Sequence, residues 1–227
     1  MSKHRLKISR LKLAGLARLA LLASMAGGAC AGAQKYEPLS DSVRSQLSKA
    51  VSDTAVERAA FDDSPYVQAW LAEMSRRLEK RLPDTEYRTD FLNTLQYEAH
   101  RAGLDPELML GVIEVESGFK KYAVSEAGAR GFTQVMPFWV DTVGSREHNL
   151  FHLRTNLRYG ANILRYYLDI ERGDLFRALG RYNGSLGKAD YPGAVYAAWR
   201  NHWTFGVDPK RLKPSRQVNA SNSNRGS

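Results

Sequence analysis

From Ser64 to Phe205, apolar residues recur at spacings of three and four. No stretch alternates apolar with polar residues for long enough to form a sheet. That pattern restricts the chain to helices packed on helices. Segment 38–60 is polar and amphipathic. "SPYVQAWLAEMSRRLEKRL" (64–82) places Val67, Trp70, Leu71, Met74 and Leu78 on one helical face, and Leu82-Pro83-Asp84 breaks it. Further helices are expected over 86–101, ending at Gly103, then from Pro106 to Gly118, briefly after Pro137, and over 154–171. One more starts at Asp174, and the last runs over 192–205. There is no internal repeat.

The helix beginning at Pro106 carries two glutamates, Glu114 and Glu116, within "GVIEVESGF". Asp105 is a good N-cap, Pro106 suits the first turn, and Glu107 complements the positive end of the dipole. Gly118 can stop the helix in a left-handed conformation. Leu108, Met109, Val112, Ile113, Glu116 and Phe119 then share one face, on which only Glu116 is polar. Glu114 sits about 200° round the helix from that stripe, beside Glu107, Gly111 and Ser117, and reads as a solvated charge. A carboxyl set into an apolar stripe is costly when ionised, so burial favours its protonated form. Such a group, with a pKa raised to roughly 6–7, suits a general acid. The competing expectation is structural, with Glu116 paired to a buried arginine such as Arg154, Arg158 or Arg165.

The net charge of +9 is concentrated in the ends. Residues 1–33 contribute +6, residues 208–227 contribute +4, and the body between them is −1. A nucleic-acid binder concentrates positive charge on its folded face, so no nucleic-acid partner is expected. Residues 1–33 have the form of an export signal: basic "MSKHRLKISRLK", apolar "LALLASMA", then small residues, with cleavage after Ala33. The apolar run is too short to span a bilayer. The single cysteine, Cys30, falls in the small-residue stretch "GGACAGAQ" that follows it. Membrane attachment is expected only if Cys30 is lipidated, which would make the chain an outer-membrane lipoprotein; otherwise the location is the periplasm. The layout is a signal peptide at 1–33, a helical extension at 34–90, a main domain at 91–207 and a disordered basic tail at 208–227.

"ESGF", "AVSEAGARGFTQVMP" and "RYNGS", in that order and spacing, resemble the soluble lytic transglycosylase (SLT) family. These are bacterial cell-wall enzymes with a lysozyme-like, goose-type helical fold. The resemblance covers about residues 90–205. It implies an all-α, lysozyme-like domain behind the N-terminal helical extension, acting as a monomer on peptidoglycan glycan strands. Position by position, it makes Glu116 the catalytic acid/base. Ser125 matches a serine lining the cleft. Gly128, Gly131 and Gln134 match a turn bordering the sugar site, Tyr182 and Asn183 match a "YN" pair, and Tyr191 matches a late tyrosine that hydrogen-bonds the catalytic carboxyl. Thr133 stands where methionine is usual, and Arg181 where the family has a small residue.

The residues themselves also admit plainer roles. Gly128 and Gly131 would serve equally as turn formers, Gln134 as a loop amide, and Tyr182 as packing. Glycoside hydrolysis normally needs two carboxylates, and neither Glu126 nor Asp141 supplies a recognisable second one. The resemblance accounts for this, because the family closes the muramyl C6 hydroxyl onto C1 to give a 1,6-anhydro product. Rival readings are a hydrolytic muramidase and a non-catalytic peptidoglycan-binding module. His148 and His152 have a zinc-compatible spacing but lack a third ligand. Neither metal nor cofactor is expected.

Overall fold

The computed structural model describes residues 34–52 and 64–206. The expected export signal, Cys30 and the expected disordered tail lie outside the described residues. Within them the fold is all-α, as expected. Eight α-helices run in order: α1 Asp41–Val51, α2 Pro65–Leu78, α3 Thr85–Arg101, α4 Pro106–Ser117, α5 Phe138–Val143, α6 Leu153–Ile170, α7 Leu175–Asn183 and α8 Asp190–Ala198. A π-helical turn, Trp199–Trp203, continues α8. The only strand-like features among the described residues are two isolated bridges, Val124 with Arg130 and Arg130 with Val135.

The starts of these helices follow from local chemistry. The side chains of Ser40, Ser64, Asp84, Asp105 and Asp174 each accept a hydrogen bond from a backbone N–H of the first turn. α4 ends at Gly118 in the left-handed region, φ 57°, as its sequence requires. Two boundaries differ from expectation. α2 stops at Leu78 rather than running to Leu82, and Arg81 in the turn beyond it reaches Glu114 at 2.6 Å. The last helix begins at Asp190, and its final turn widens to π geometry, which the apolar spacing does not distinguish from α. The first helix ends at Val51; the rest of segment 38–60 lies outside the described residues from residue 53 onward.

α4 lies at the centre, packed by α3, α8 and the π-helical turn, while α6 packs on α3 and α7 and α1 lies on α5 and α6. Consequently α4 is buried on nearly every side: Leu108 to Ile113, Glu116 and Ser117 are all inaccessible. Gly111 permits this, since a Cβ there would come within 3.0 Å of Trp199. Truncating a core side chain such as Met109 to alanine costs about 2–5 kcal/mol.

Candidate active site

Glu116 occupies the last turn of α4, buried to 5% exposure. The Tyr191 hydroxyl of α8 donates to its Oε1 at 2.6 Å. Among the described residues no arginine, lysine or histidine forms an ion pair with it. The arginines considered as partners are engaged elsewhere. Arg158 and Arg154 bind Glu98 on α3, at 2.9 and 3.3 Å, and Arg165 binds Asp169 at 2.6 Å. Burial therefore acts on Glu116 without a compensating cation and pushes its pKa up to about 8, with the Tyr191 hydrogen bond pulling weakly the other way. Burial and the nearby carboxyl also raise Tyr191 well above the usual phenol range, so it stays a donor.

The other glutamate corrects the sequence reading. Glu114 is not a solvated charge. Its carboxylate binds Arg81 at 2.6 Å, the Trp203 indole N–H at 2.7 Å and His202 at 3.0 Å. Burial pushes its pKa up, but the hydrogen bonds from Arg81, His202 and Trp203 outweigh that and hold it below the ordinary carboxylate range. Arg81 also lies over the rings of Phe119 and Trp203. Glu114 thus ties the α2–α3 turn and the π-helical turn to α4, while Glu116, the most deeply buried carboxyl of this helix, has no cation beside it among the described residues.

The backbone after α4 is unusual. Gly118 and Phe119 both have positive φ, 57° and 68°. For a bulky residue this conformation is strained. Burial of Phe119 against Phe91 and Trp203 holds it there.

The loop 123–137 carries most of the remaining candidates. The Ser125 hydroxyl accepts from the Ala129 N–H at 3.1 Å, so it closes its own turn. Gly128 and Gly131 have φ of 87° and 76°. At Gly131 a Cβ would also meet the Asn156 amide nitrogen at 2.4 Å, so close approach and positive φ both require glycine. Gln134 is itself at φ 49°, and its amide nitrogen donates to the carbonyls of Gly131 at 2.8 Å and Ala123 at 3.2 Å. That nitrogen holds the loop together. The Tyr182 hydroxyl donates to the Thr133 carbonyl at 2.7 Å, and Asn183 is buried beside it at the end of α7. Glu116 and Tyr191 are in direct contact, Tyr182 lies close enough for the Glu116 charge to raise its pKa, and Gln134 adjoins the Thr133–Tyr182 contact.

Asn156 was not among the expected site residues. From inside α6 it accepts from the Thr133 N–H at 2.9 Å and donates to the carbonyls of Arg130 and Leu150 at 2.9 and 2.8 Å. It fixes the loop to the helix bundle. Its signal in the sequence is an asparagine on the apolar face of "LRTNLRYGANIL". Thr133 fits here because its hydroxyl bonds Asn156, with Gly160 making room beneath it. Arg181, the other departure from the family pattern, binds Glu171 and also Glu37 at 3.3 Å. His148 and His152 are separately engaged, with the Tyr159 and Thr155 hydroxyls. Among the described residues no cluster of three or more metal-ligating side chains occurs.

This arrangement, a buried uncompensated carboxyl at the end of one helix and a glycine-rich loop facing it, agrees with a family model. Residues 93–198 match the transglycosylase SLT domain. That match spans 106 of the chain's 227 residues. A 47-residue stretch is 49% identical to the membrane-bound lytic murein transglycosylase C of Actinobacillus pleuropneumoniae serotype 5b (strain L20), covering 21% of this chain and 13% of that protein. Over 99 residues the chain is 35% identical to the transglycosylase of Enterobacteria phage PRD1, covering 40% of this chain and 36% of that protein. The protein of that first name from Mannheimia succiniciproducens is 40% identical over 47 residues, again 13% of its length. The chain therefore matches well under two thirds of each relative, and the likeness is one of the SLT domain.

Proposed function

We propose that the protein is a lytic transglycosylase that cleaves the β-1,4 bond between N-acetylmuramic acid and N-acetylglucosamine in peptidoglycan. The observation carrying this reading is Glu116: buried, free of any ion pair among the described residues, hydrogen-bonded by Tyr191, and mostly protonated at neutral pH. The match to the SLT domain and the relatives' names support the substrate class.

In this mechanism Oε1 accepts from Tyr191, so the acidic proton resides on Oε2. It passes to the glycosidic oxygen as the bond from C1 to that oxygen breaks, leaving an N-acetylglucosamine hydroxyl. The Glu116 carboxylate then takes the proton of the muramyl C6 hydroxyl while O6 bonds to C1. No water is consumed, and Glu116 ends protonated. The internal nucleophile's high effective concentration replaces a second carboxylate. Ser125, Gln134, Tyr182 and Asn183 would shape the surface that orients the sugar. Gln134 would do so through the loop it stabilises, since its amide nitrogen already serves that loop.

The layout proposed with this activity is a signal peptide at 1–33, a helical extension at 34–90, the catalytic domain at 91–207 and a basic tail at 208–227. Such an enzyme would work in the cell envelope, in the periplasm or attached through a lipid at Cys30. Intact mass of the secreted chain distinguishes the two forms. Among the described residues no helix is long and apolar enough to cross a membrane.

Mass analysis of muropeptides released from purified walls tests the reaction. The expected products end in 1,6-anhydro-muramyl residues, one water lighter than hydrolytic products. Reducing ends alone would make the protein a muramidase, and absence of release would leave a wall-binding module.

A further inference from the structure

The segment before α1 makes a contact that the proposed reaction does not use. Residues 34–40 have no regular structure, and only Gln34 and Leu39 among them are buried. Gln34 is 4% exposed. Its amide oxygen accepts from the Met136 backbone N–H at 3.2 Å and from the Trp139 indole N–H at 3.0 Å. Its amide nitrogen donates to the Gln134 carbonyl at 3.4 Å, and the same side chain hydrogen-bonds Tyr182. These groups belong to the loop 123–137 and to α5, and the link to Glu116 runs through Tyr182, whose hydroxyl donates to the Thr133 carbonyl of that loop at 2.7 Å and which lies within reach of the Glu116 charge.

The slot therefore presents two N–H donors to a carbonyl oxygen and one carbonyl acceptor to an amide nitrogen. That is the complement of a planar amide. A buried polar set of this kind needs a partner, and leaving it empty costs more than exchanging one occupant for another. The 2-acetamido group of an N-acetylated sugar carries the same C=O and N–H as the glutamine side chain.

We propose that residues 34–38 form a strap whose Gln34 carboxamide occupies an acetamido-binding slot beside Glu116, so that an N-acetylated glycan must displace it to bind. The segment is built to leave and return. Leu39 in the core and the capped start of α1 anchor its far end. The intervening contacts are a peripheral ring pair, Tyr36 with Phe138, and a half-exposed ion pair, Glu37 with Arg181. Such contacts belong to the least stable parts of a fold. The strap also gives Arg181 a purpose, as the residue that holds Glu37. A ligand that binds only the strap-open state has its apparent affinity reduced by the closed fraction.

This inference deepens the proposed function in naming what the site recognises, and binding can test it apart from turnover. Triacetylchitotriose is titrated calorimetrically into the full chain carrying Glu116→Gln, with and without Gln34→Ala. The fully deacetylated trimer serves as the comparison ligand. The expected result is roughly tenfold tighter binding of the acetylated trimer when Gln34 is removed, with no gain for the deacetylated one. Glu37→Gln should give a smaller gain in the same direction. In the free protein, Gln34→Ala should shift the NMR resonance of the Trp139 indole N–H, as should saturating acetylated trimer. Unchanged or weaker binding, or an equal gain for both trimers, would overturn the strap, because Gln34 would then be scaffolding for the loop. Muropeptide release tests the parent reading separately: a chain that releases nothing yet binds the acetylated trimer more tightly without Gln34 loses the chemistry and keeps the strap.

Discussion

Glu98 and Glu116 are both nearly inaccessible, at 1% and 5% exposure, yet they sit in opposite surroundings. Glu98, in the α3–α6 seam, meets Arg158 at 2.9 Å, Arg154 at 3.3 Å and Arg101 at 3.8 Å. Glu116, in the α4–α8 seam, meets a tyrosine hydroxyl. Burial alone does not make an acid. Where burial comes with guanidinium groups, the carboxylate is a structural tie; where it comes without them, the proton is retained to neutral pH. The fold keeps the two apart by pairing Arg154 and Arg158 of α6 with Glu98 of α3, while Arg165 pairs with Asp169 on its own helix.

Four substitutions or profiles can break that comparison, in decreasing order of effect. Glu116→Gln should lower muropeptide release by about 100- to 10,000-fold, the usual worth of a general acid, while leaving unfolding resistance intact or improved. Comparable release by the variant would remove Glu116 from the chemistry. Glu98→Ala should do the reverse. It removes the buried carboxylate that Arg158 and Arg154 share and costs about 3–5 kcal/mol in urea unfolding, while the molecules that remain folded keep their activity. A stable but inactive Glu98 variant would erase the distinction. Tyr191→Phe removes the tyrosine hydrogen bond to Glu116 and should cost about 10- to 100-fold in kcat, with KM little changed.

The smallest effect is on stability against pH. In the unfolded chain Glu116 titrates at the ordinary value of 4.5; in the folded one it titrates at about 8. Between those values the folded state holds the extra proton, so stability is greatest at the low end and declines as pH rises toward 8. Glu107, pushed up to about 7 chiefly by burial, adds a slope of the same sign. Glu116→Gln should flatten the decline in part. An unchanged slope would mean that Glu116 ionises normally.

The parts of this site legible in the sequence are those set by nearby residues. Asp105, Pro106 and Gly118 delimit α4 through capping chemistry that acts within a turn, and the apolar stripe through Leu108, Val112 and Ile113 places Glu116 facing inward. Periodicity says which face a residue occupies but not what packs on that face. Glu114 therefore read as solvated, although Arg81 and the π-helical turn cover it. The choice of partner for Arg158 was illegible for the same reason, since Glu98 lies 60 positions away in the chain. Asn156 and Gln34 act through loop backbone groups, which leave no periodic mark in the sequence.

The most direct test of the central claim is the titration of the Glu116 carboxyl itself. It is followed by carbon NMR of the glutamate side-chain carboxyl carbons and assigned by the signal lost in Glu116→Gln. The account requires a midpoint at about 8, far from the other carboxyls of ordinary acidity. A midpoint near 4.5 would contradict it, since the carboxyl would then be ionised at neutral pH with no proton to give.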